Sequence, residues 1–202
     1  MAKIDFKKEL KHLYSPSAKE PVLVAVPEMN FLMIDGAGDP NTSQEYQEAI
    51  EALYAASFTG KFAVKKAQGV DYVVPPLEGL WWAEDMAQFS AADKDSWLWT
   101  AMIMQPEWVT QTLVADVIAQ LQAKKDLPAL AKMRLESYAE GLSAQIMHIG
   151  PYAEEGPTIA KLHQFIAASG HELRGKHHEI YLSDPRRTQP EKLKTVIRQP
   201  VA

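Results

Sequence analysis

The pattern of apolar and polar positions predicts that strands and helices follow one another in a repeated order. Short apolar runs are typical of buried strands, whereas apolar residues three or four apart indicate a helix. In the first half the predicted elements are strands at 22–26 and 31–34, a helix from the Thr42–Glu45 capping pattern to Gly60, extended chain over 70–83 and a strand over 97–104. The first half therefore contains the order strand, helix, strand, strand.

The second half contains the same order. After a helix opened by Pro106, the predicted elements are strands at 133–138 and 143–149, a helix that ends at Gly170, the strand of Glu179, and a strand at 194–198. Leu32-Met33 before Gly36 also matches Ile146-Met147 before Gly150. We therefore predict an α+β fold made of two such modules, with a ligand cleft between them.

The boundaries follow from these elements. Residues 4–14 place Phe6, Leu10, Leu13 and Tyr14 on one helical face, which predicts a short docking helix within an N-terminal segment of residues 1–20. The first module then covers residues about 21–128 and the second about 129–202. A length of 202 residues suits one large domain or two small, closely packed halves, and we assign the modules to a single domain.

The stretch from His177 to Pro185 alternates between polar and apolar residues. In a strand, Glu179 and Tyr181 share one face, while His178, Ile180 and Leu182 share the other. The aliphatic face is suited to covering by helices, which leaves a carboxylate and a phenol at the floor of a pocket. The alternative is a solvated sheet face on which Glu179 is hydrated. The segment alone does not decide between them.

Tryptophan is the second unusual feature, since the chain has five. Four of these lie in two successive extended segments: Trp81, Trp82, Trp97 and Trp99. On one face they would form an aromatic surface for a flat or cationic ligand, and the alternative is a tryptophan-rich core beneath the helices. Trp81 and Trp82 are adjacent, so they point to opposite faces of a strand.

Other candidate chemistry is sparse. Tyr152 follows His148-Ile149-Gly150-Pro151 at a corner between a strand and a helix, where its ring can hang over a cleft. His177 and His178 point to opposite faces and cannot share one ion, so we expect no metal site and no cofactor. The chain lacks cysteine, a serine nucleophile elbow and a phosphate-binding glycine loop.

Composition and charge exclude several classes of function. The net charge of −5 gives no basic surface for nucleic acid. The C-terminal basic residues are interpreted as solvated charge: Arg186, Arg187, Lys192, Lys194 and Arg198. No apolar run is long enough to cross a membrane, and the N-terminus lacks the features of a signal peptide. These features predict a cytoplasmic protein that uses neither nucleic acid nor membrane as a partner.

Four segments resemble the GyrI-like small-molecule-binding superfamily. They are Phe31-Leu32-Met33-Ile34-Asp35-Gly36, Pro76-Leu77-Glu78-Gly79-Leu80-Trp81-Trp82, His148-Ile149-Gly150-Pro151-Tyr152 and Glu179-Ile180-Tyr181-Leu182-Ser183-Asp184-Pro185. The resemblance implies pseudo-twofold symmetry between the two modules. It also implies a cleft between antiparallel sheets, where a glutamate matching Glu179 meets lipophilic ligands. Regulators in this superfamily carry the module attached to a DNA-binding domain, and these residues show no such domain, so we do not expect a transcription factor.

The chain resembles a subgroup of stand-alone members, some of which hydrolyse the cyclopropane ring of DNA-alkylating compounds of the duocarmycin and yatakemycin type. Our hypothesis is that Glu179 orients or deprotonates the attacking water. Glu78 is a second candidate acid, and the alternative is a structural role in its Leu-Glu-Gly turn. A phenol, Tyr152 or Tyr138, would donate to the developing phenolate. The predicted ligand-binding residues are Trp81, Trp82, Trp99, Tyr138, Tyr181 and His148, with Tyr152 and Glu179 as the catalytic pair.

Two functions without chemistry remain open from the sequence. The aromatic cleft would serve a protein that only binds and sequesters lipophilic or multidrug-type compounds equally well. The second of these functions is that of an interaction protein of the gyrase-inhibitor type, which docks on another protein. Turnover separates the enzyme from the sequestering protein, and no sequence feature marks a docking surface.

Overall fold

The computed structural model describes residues 3–86 and 94–202, and these residues form two compact units. The first unit comprises the chain up to Phe6 together with Met29–Tyr138, and the second comprises Lys7–Glu28 together with Ala139–Ala202. Trp97, Trp99 and the candidate residues named above all lie within the described residues. The α+β class predicted from the sequence is confirmed.

The helices and strands occur along the chain in the predicted order. The elements are α1 Phe6–Glu9, α2 Lys11–Tyr14, β1 Val22–Val26, β2 Met29–Ala37, α3 Gln44–Gln68, β3 Leu77–Trp82, β4 Leu98–Gln105, α4 Gln111–Gln122, β5 Arg134–Tyr138, β6 Gly141–Ile149, α5 Gly156–Ala168, β7 His177–Tyr181 and β8 Lys194–Pro200. The single N-terminal helix predicted over 4–14 is two short helices. The helix predicted from Pro106 begins instead after Thr110, whose hydroxyl caps it by accepting from the Leu113 N–H.

The first unit contains an antiparallel sheet in the order β3-β4-β2-β5. Trp81 of β3 pairs in register with Trp99 of β4, and Trp99 pairs with Gly36 of β2. Residues directly opposite one another on antiparallel strands share a face. Tyr46 of α3 contacts both indoles, so α3 packs on the face that carries Trp81 and Trp99.

Helix α3 differs from its predicted bounds at both ends. Its N-cap is Ser43, whose hydroxyl accepts from the Tyr46 N–H, and not Thr42. Gly60 does not end the helix, which continues to Gly69, where φ is 71°. Val64, one turn beyond Gly60, is buried, so packing outweighs the modest cost of glycine inside a helix. The left-handed C-cap at Gly69 is the true stop.

Two glycines of the first unit are expected to respond to alanine in opposite directions. A Cβ at Gly36 would overlap the Trp99 ring, whereas a Cβ at Gly60 would meet no atom within 4 Å. Gly36→Ala should therefore lower the free energy of unfolding by about 1–3 kcal/mol through overpacking. Gly60→Ala should raise it by about 0.5–1 kcal/mol, because alanine favours the helix. Urea denaturation of both variants measures this difference, and shifts of the same sign would contradict it.

The second unit contains an antiparallel sheet in the order β1-β6-β8-β7. Helix α5 packs on one face of it, because Leu162 and Ile166 form one core cluster with Ala144, Ile146 and Ile197. Both sheets take their outer strand from the other half of the chain: β1 pairs with β6, and β5 pairs with β2. The sequence placed β1 in the first module and β5 in the second, because strand pairing between distant segments leaves no local signal.

Candidate functional site

Three polar side chains of β7 form a hydrogen-bonded cluster around the Glu179 carboxylate. The Tyr181 hydroxyl donates to Glu179 Oε2 at 2.7 Å, and His177 Nε2 lies 3.1 Å from Glu179 Oε1. The three residues are two apart, so the strand places them on one face. The Glu179 side chain is only 12% exposed. The prediction that Glu179 and Tyr181 share a face holds, and the alternative of a hydrated carboxylate does not fit this burial.

The helix-covered face of the second unit's sheet is the one that carries this cluster. Glu179 pairs in register with Ile197, and Ile197 pairs with Ile146. Both isoleucines pack against α5. The expectation that the helices cover the Ile180 face of β7 and leave the Glu179 face uncovered is therefore wrong for α5. A carboxylate on a helix-covered face is partly desolvated, which strengthens its interactions with a bound ligand.

Tyr152 reaches the same cluster from the turn after β6. Its ring meets the Tyr181 ring edge to face, with centroids 5.6 Å apart, and the side chain is exposed. His148 contacts Thr158 Oγ1 at 2.9 Å and the Pro151 carbonyl at 3.2 Å. The buried imidazole therefore holds the turn that carries Tyr152, and its predicted contact with ligand stays a prediction.

Sequence reasoning missed two buried polar groups of this unit. Thr195 lies opposite both Tyr181 and His148, and its hydroxyl has no hydrogen-bond partner within the described residues. His163 of α5 likewise has an unpartnered Nε2 in this part of the chain. Neither is recognisable from the sequence, because threonine in a strand and histidine in a helix are common in ordinary structure.

His163 makes the stability of the protein depend on pH. Burial lowers the pKa of His163, and the nearby His177 lowers it further. The unfolded chain then binds a proton at His163 more readily than the folded chain. The folded state is therefore destabilised as pH falls below the ordinary histidine pKa of about 6.5. Urea denaturation at pH 7.5 and 5.5 should show a smaller difference for His163→Gln than for the wild type. An equal difference would exclude His163 as the cause.

A second polar network lies on the opposite face of the same sheet. Glu140 accepts from Arg198 Nη1 at 3.1 Å, and its other oxygen lies 2.9 Å from His178 Nδ1. Arg198 also donates to Gln145 Oε1 and to the Leu13 carbonyl. Arg198 is 1% exposed, so its interpretation as solvated charge is wrong, whereas Arg186, Arg187, Lys192 and Lys194 are exposed. Arg198 fixes the N-terminal segment to the sheet.

The charges of this network are compensated within it. Burial would raise the pKa of Glu140, but the charges and hydrogen bonds of His178 and Arg198 outweigh burial and lower it to about 2. Glu140 therefore stays ionised, with the Arg198 guanidinium as its counter-charge. All three side chains are almost fully buried, so the network is structural and separate from the Glu179 cluster.

Two tryptophans of the first unit, Trp81 and Trp99, form a core beneath α3. Trp99 is completely buried, and its indole lies over the backbone of Gly36. Trp81 covers Gly79, where a Cβ would lie 2.7 Å from the indole nitrogen, and it contacts Trp97 at 5.5 Å between centroids. The core alternative therefore describes Trp81 and Trp99. Direct stacking of either on a ligand stays a prediction, since neither presents an open ring face in this conformation.

The other predicted residues of this unit lie on the opposite face of its sheet. Register places Trp82 and Glu78 there, and Tyr138 lies opposite Met29 and edge to face with Phe31. Within the first unit, Tyr138 and Trp99 therefore point to different faces and do not line one cage. Glu78 is fully buried.

Metal binding and membrane insertion find no support in the described residues. No group of three or more His, Asp or Glu side chains in ranges 3–86 and 94–202 is arranged to hold a metal ion. No helix within those ranges combines the length and apolar character needed to cross a bilayer.

A family model matches most of the chain. The model describes the GyrI-like small-molecule-binding domain, and it covers residues 19–202. The chain belongs to this family. Its membership agrees with the four motifs of the sequence, and it establishes small-molecule binding as the property of the domain.

Solved structures of similar proteins come from Listeria innocua. An uncharacterised conserved protein is 44% identical, with 99% of this chain and 100% of that chain covered and a TM-score of 0.92. A protein described as a hydrolase is 43% identical, with both chains fully covered and a TM-score of 0.89. A second hydrolase structure is 42% identical, covering 99% and 100%, with a TM-score of 0.86.

More distant similarity concerns the fold alone. The C-terminal domain of EcmrR is 13% identical, with 91% of this chain and 97% of that chain covered and a TM-score of 0.56. Among proteins of curated function, none matches this GyrI-like chain. The comparisons therefore identify the family and a hydrolase of similar sequence, and they leave the substrate open.

Proposed function

We propose that this GyrI-like protein binds planar, lipophilic, DNA-alkylating compounds and hydrolyses their cyclopropane ring. The observation that carries the proposal is the Glu179 carboxylate, held between Tyr181 and His177 on the helix-covered face of a sheet. A carboxylate that is fixed and partly desolvated is suited to orienting a water molecule and taking its proton. Hydrolases at 42–43% identity over the full chain support a hydrolytic reaction in this family.

Tyr152 supplies the aromatic contact for the ligand. Its ring is 39% exposed, so it can cover a flat ligand, while its edge-to-face contact with Tyr181 keeps it beside the carboxylate. His148 holds the turn beneath it. Binding then places the reactive ring of the ligand near Glu179, which is the arrangement that proximity catalysis requires.

The reaction is a net addition of water. The water oxygen forms a bond to the cyclopropane methylene carbon, and the bond between that carbon and the spiro carbon breaks. The released electron pair aromatises the adjacent dienone ring and becomes a phenolate. Glu179 takes the proton of the attacking water, and the Tyr152 hydroxyl donates to the phenolate oxygen. Proton transfer to the phenolate and loss of the Glu179 proton to solvent complete the addition of one water.

Mass spectrometry of a cyclopropane-type alkylator incubated with a hundredth of an equivalent of protein tests the proposal. Complete conversion to the water adduct, well above the rate in buffer, is the expected result. Conversion of no more than a hundredth of the compound would refute catalysis. Tight binding without turnover would instead identify a sequestering protein, and neither binding nor turnover would direct attention to a protein partner.

A further inference from the structure

The proposed reaction assigns no role to His177, although its imidazole contacts the Glu179 carboxylate directly. His177 Nε2 lies 3.1 Å from Glu179 Oε1, whereas Tyr181 bonds the other oxygen, Oε2. When Glu179 is ionised its carboxylate can only accept hydrogen bonds, and the contact then requires a proton on Nε2. Both oxygens of Glu179 are therefore held from opposite sides by neighbours on the same strand.

The side chain of His177 is more deeply buried than that of Glu179, which is the group that a ligand would reach. The His177 side chain is 5% exposed and that of Glu179 is 12% exposed, so the carboxylate is the more accessible of the two. His177, Glu179 and Tyr181 leave the same face of β7 at successive alternate positions, so Glu179 lies between the histidine and the tyrosine. A role for His177 in the reaction therefore acts through Glu179.

We infer that His177 is a positioning residue that fixes the rotamer of Glu179 and stabilises its ionised form. The inference rests on the proposed function for its kinetic effect, but its geometry does not depend on any substrate. Titratable groups near His177 in the second unit include Glu179 and Tyr181 on β7 and His163 on α5. His163 has a lowered pKa and favours the neutral form, which leaves the carboxylate as the charged partner of His177 in this set.

Two substitutions separate hydrogen bonding from packing. His177→Leu keeps bulk and removes the donor, whereas His177→Gln keeps an N–H that can reach Glu179 Oε1. We expect His177→Leu to lower kcat about tenfold to a hundredfold with little change in KM, because hydrogen bonds to charged groups typically have effects of that size. The acidic limb of the pH profile should move to higher pH, and His177→Gln should restore most of the rate. His12→Gln, at an exposed histidine, is the matched control.

A titration of Glu179 without substrate separates the positioning role of His177 from the proposed hydrolytic activity. Carbon-13 NMR follows the side-chain carboxyl carbons during an acid titration, and the Glu179 signal is identified by its loss in Glu179→Gln. The titration midpoint of Glu179 should move upward in His177→Leu and return in His177→Gln. If the wild type hydrolyses nothing, the proposed function fails, while this titration still decides the role of His177. An unchanged midpoint in a folded variant would overturn the inference.

Folding is checked by circular dichroism before either readout. If His177→Leu does not fold, His177→Asn replaces it, since the shorter amide cannot span the same gap to Oε1. An unchanged pH profile and an unchanged midpoint in that variant would overturn the inference in the same way.

Discussion

Glu179→Gln is expected to reduce hydrolysis of a cyclopropane-type alkylator by about 10²- to 10⁴-fold, the usual range for loss of a general base. Glutamine has the same shape and can still contact the Tyr181 hydroxyl, but it cannot take a proton from water. Binding should change little, because the aromatic contact with Tyr152 remains. Steady-state kinetics by liquid chromatography, together with a separate affinity measurement, test both parts.

The matched control is Glu172→Gln, which removes one carboxylate from an exposed position of the same unit. It should leave the rate within about twofold of the wild type, because it lies outside the Glu179 cluster. Wild-type activity in a folded Glu179→Gln variant would show that the carboxylate is not the base. In that case, the aromatic side chains and Tyr152 alone would have to account for ring opening.

Arg198→Met is expected to have the largest effect on stability, lowering the free energy of unfolding by about 3–5 kcal/mol. Methionine removes the guanidinium that pairs with Glu140, so a buried carboxylate loses its counter-charge. It also leaves the Leu13 carbonyl and Gln145 without their donor. Chemical denaturation measures the loss, and Lys194→Met at an exposed position of the same strand should change stability by less than about 0.5 kcal/mol.

The double variant Arg198→Met/Glu140→Gln provides the control for this mechanism. Because a neutral amide then replaces the buried carboxylate, the double variant should be more stable than Arg198→Met alone. Because folding lowers the pKa of Glu140 from 4.5 to about 2, its ionised carboxylate stabilises the folded state fully above about pH 4.5. The wild type should lose this stabilisation as pH falls from about 4.5 towards 2. Glu140→Gln should lack this component of the decline. Equal stability of the single and double variants would contradict the account of the network.

Local alternation predicted the features of the site that lie within one strand. The period of two along β7 places Glu179 beside Tyr181, and the observed hydrogen bond between them follows from that spacing. The alternation also separates Trp81 from Trp82, which register places on opposite faces. These features depend only on residues close together in the sequence, which is why the pattern contains them.

Features that depend on contacts between distant segments were not predictable in this way. Arg198 meets Glu140 and Leu13 only after the sheet forms, so the sequence gives no sign of its burial. Helix α3 continues past Gly60 because Lys61 and Val64 beyond it are buried, which overrides a local stop signal. The face of β7 covered by α5 likewise follows from the pairing of Glu179 with Ile197, and not from the aliphatic character of Ile180.

A crystal structure of Glu179→Gln with an unopened cyclopropane-type compound bound tests most directly whether Glu179 is the base. The expected result is a compound packed against the Tyr152 ring, with its cyclopropane carbon within reach of one water held by the side chain at position 179. A compound bound at another surface, with no path for a single water between residue 179 and the ring, would contradict the assignment of Glu179 as the base.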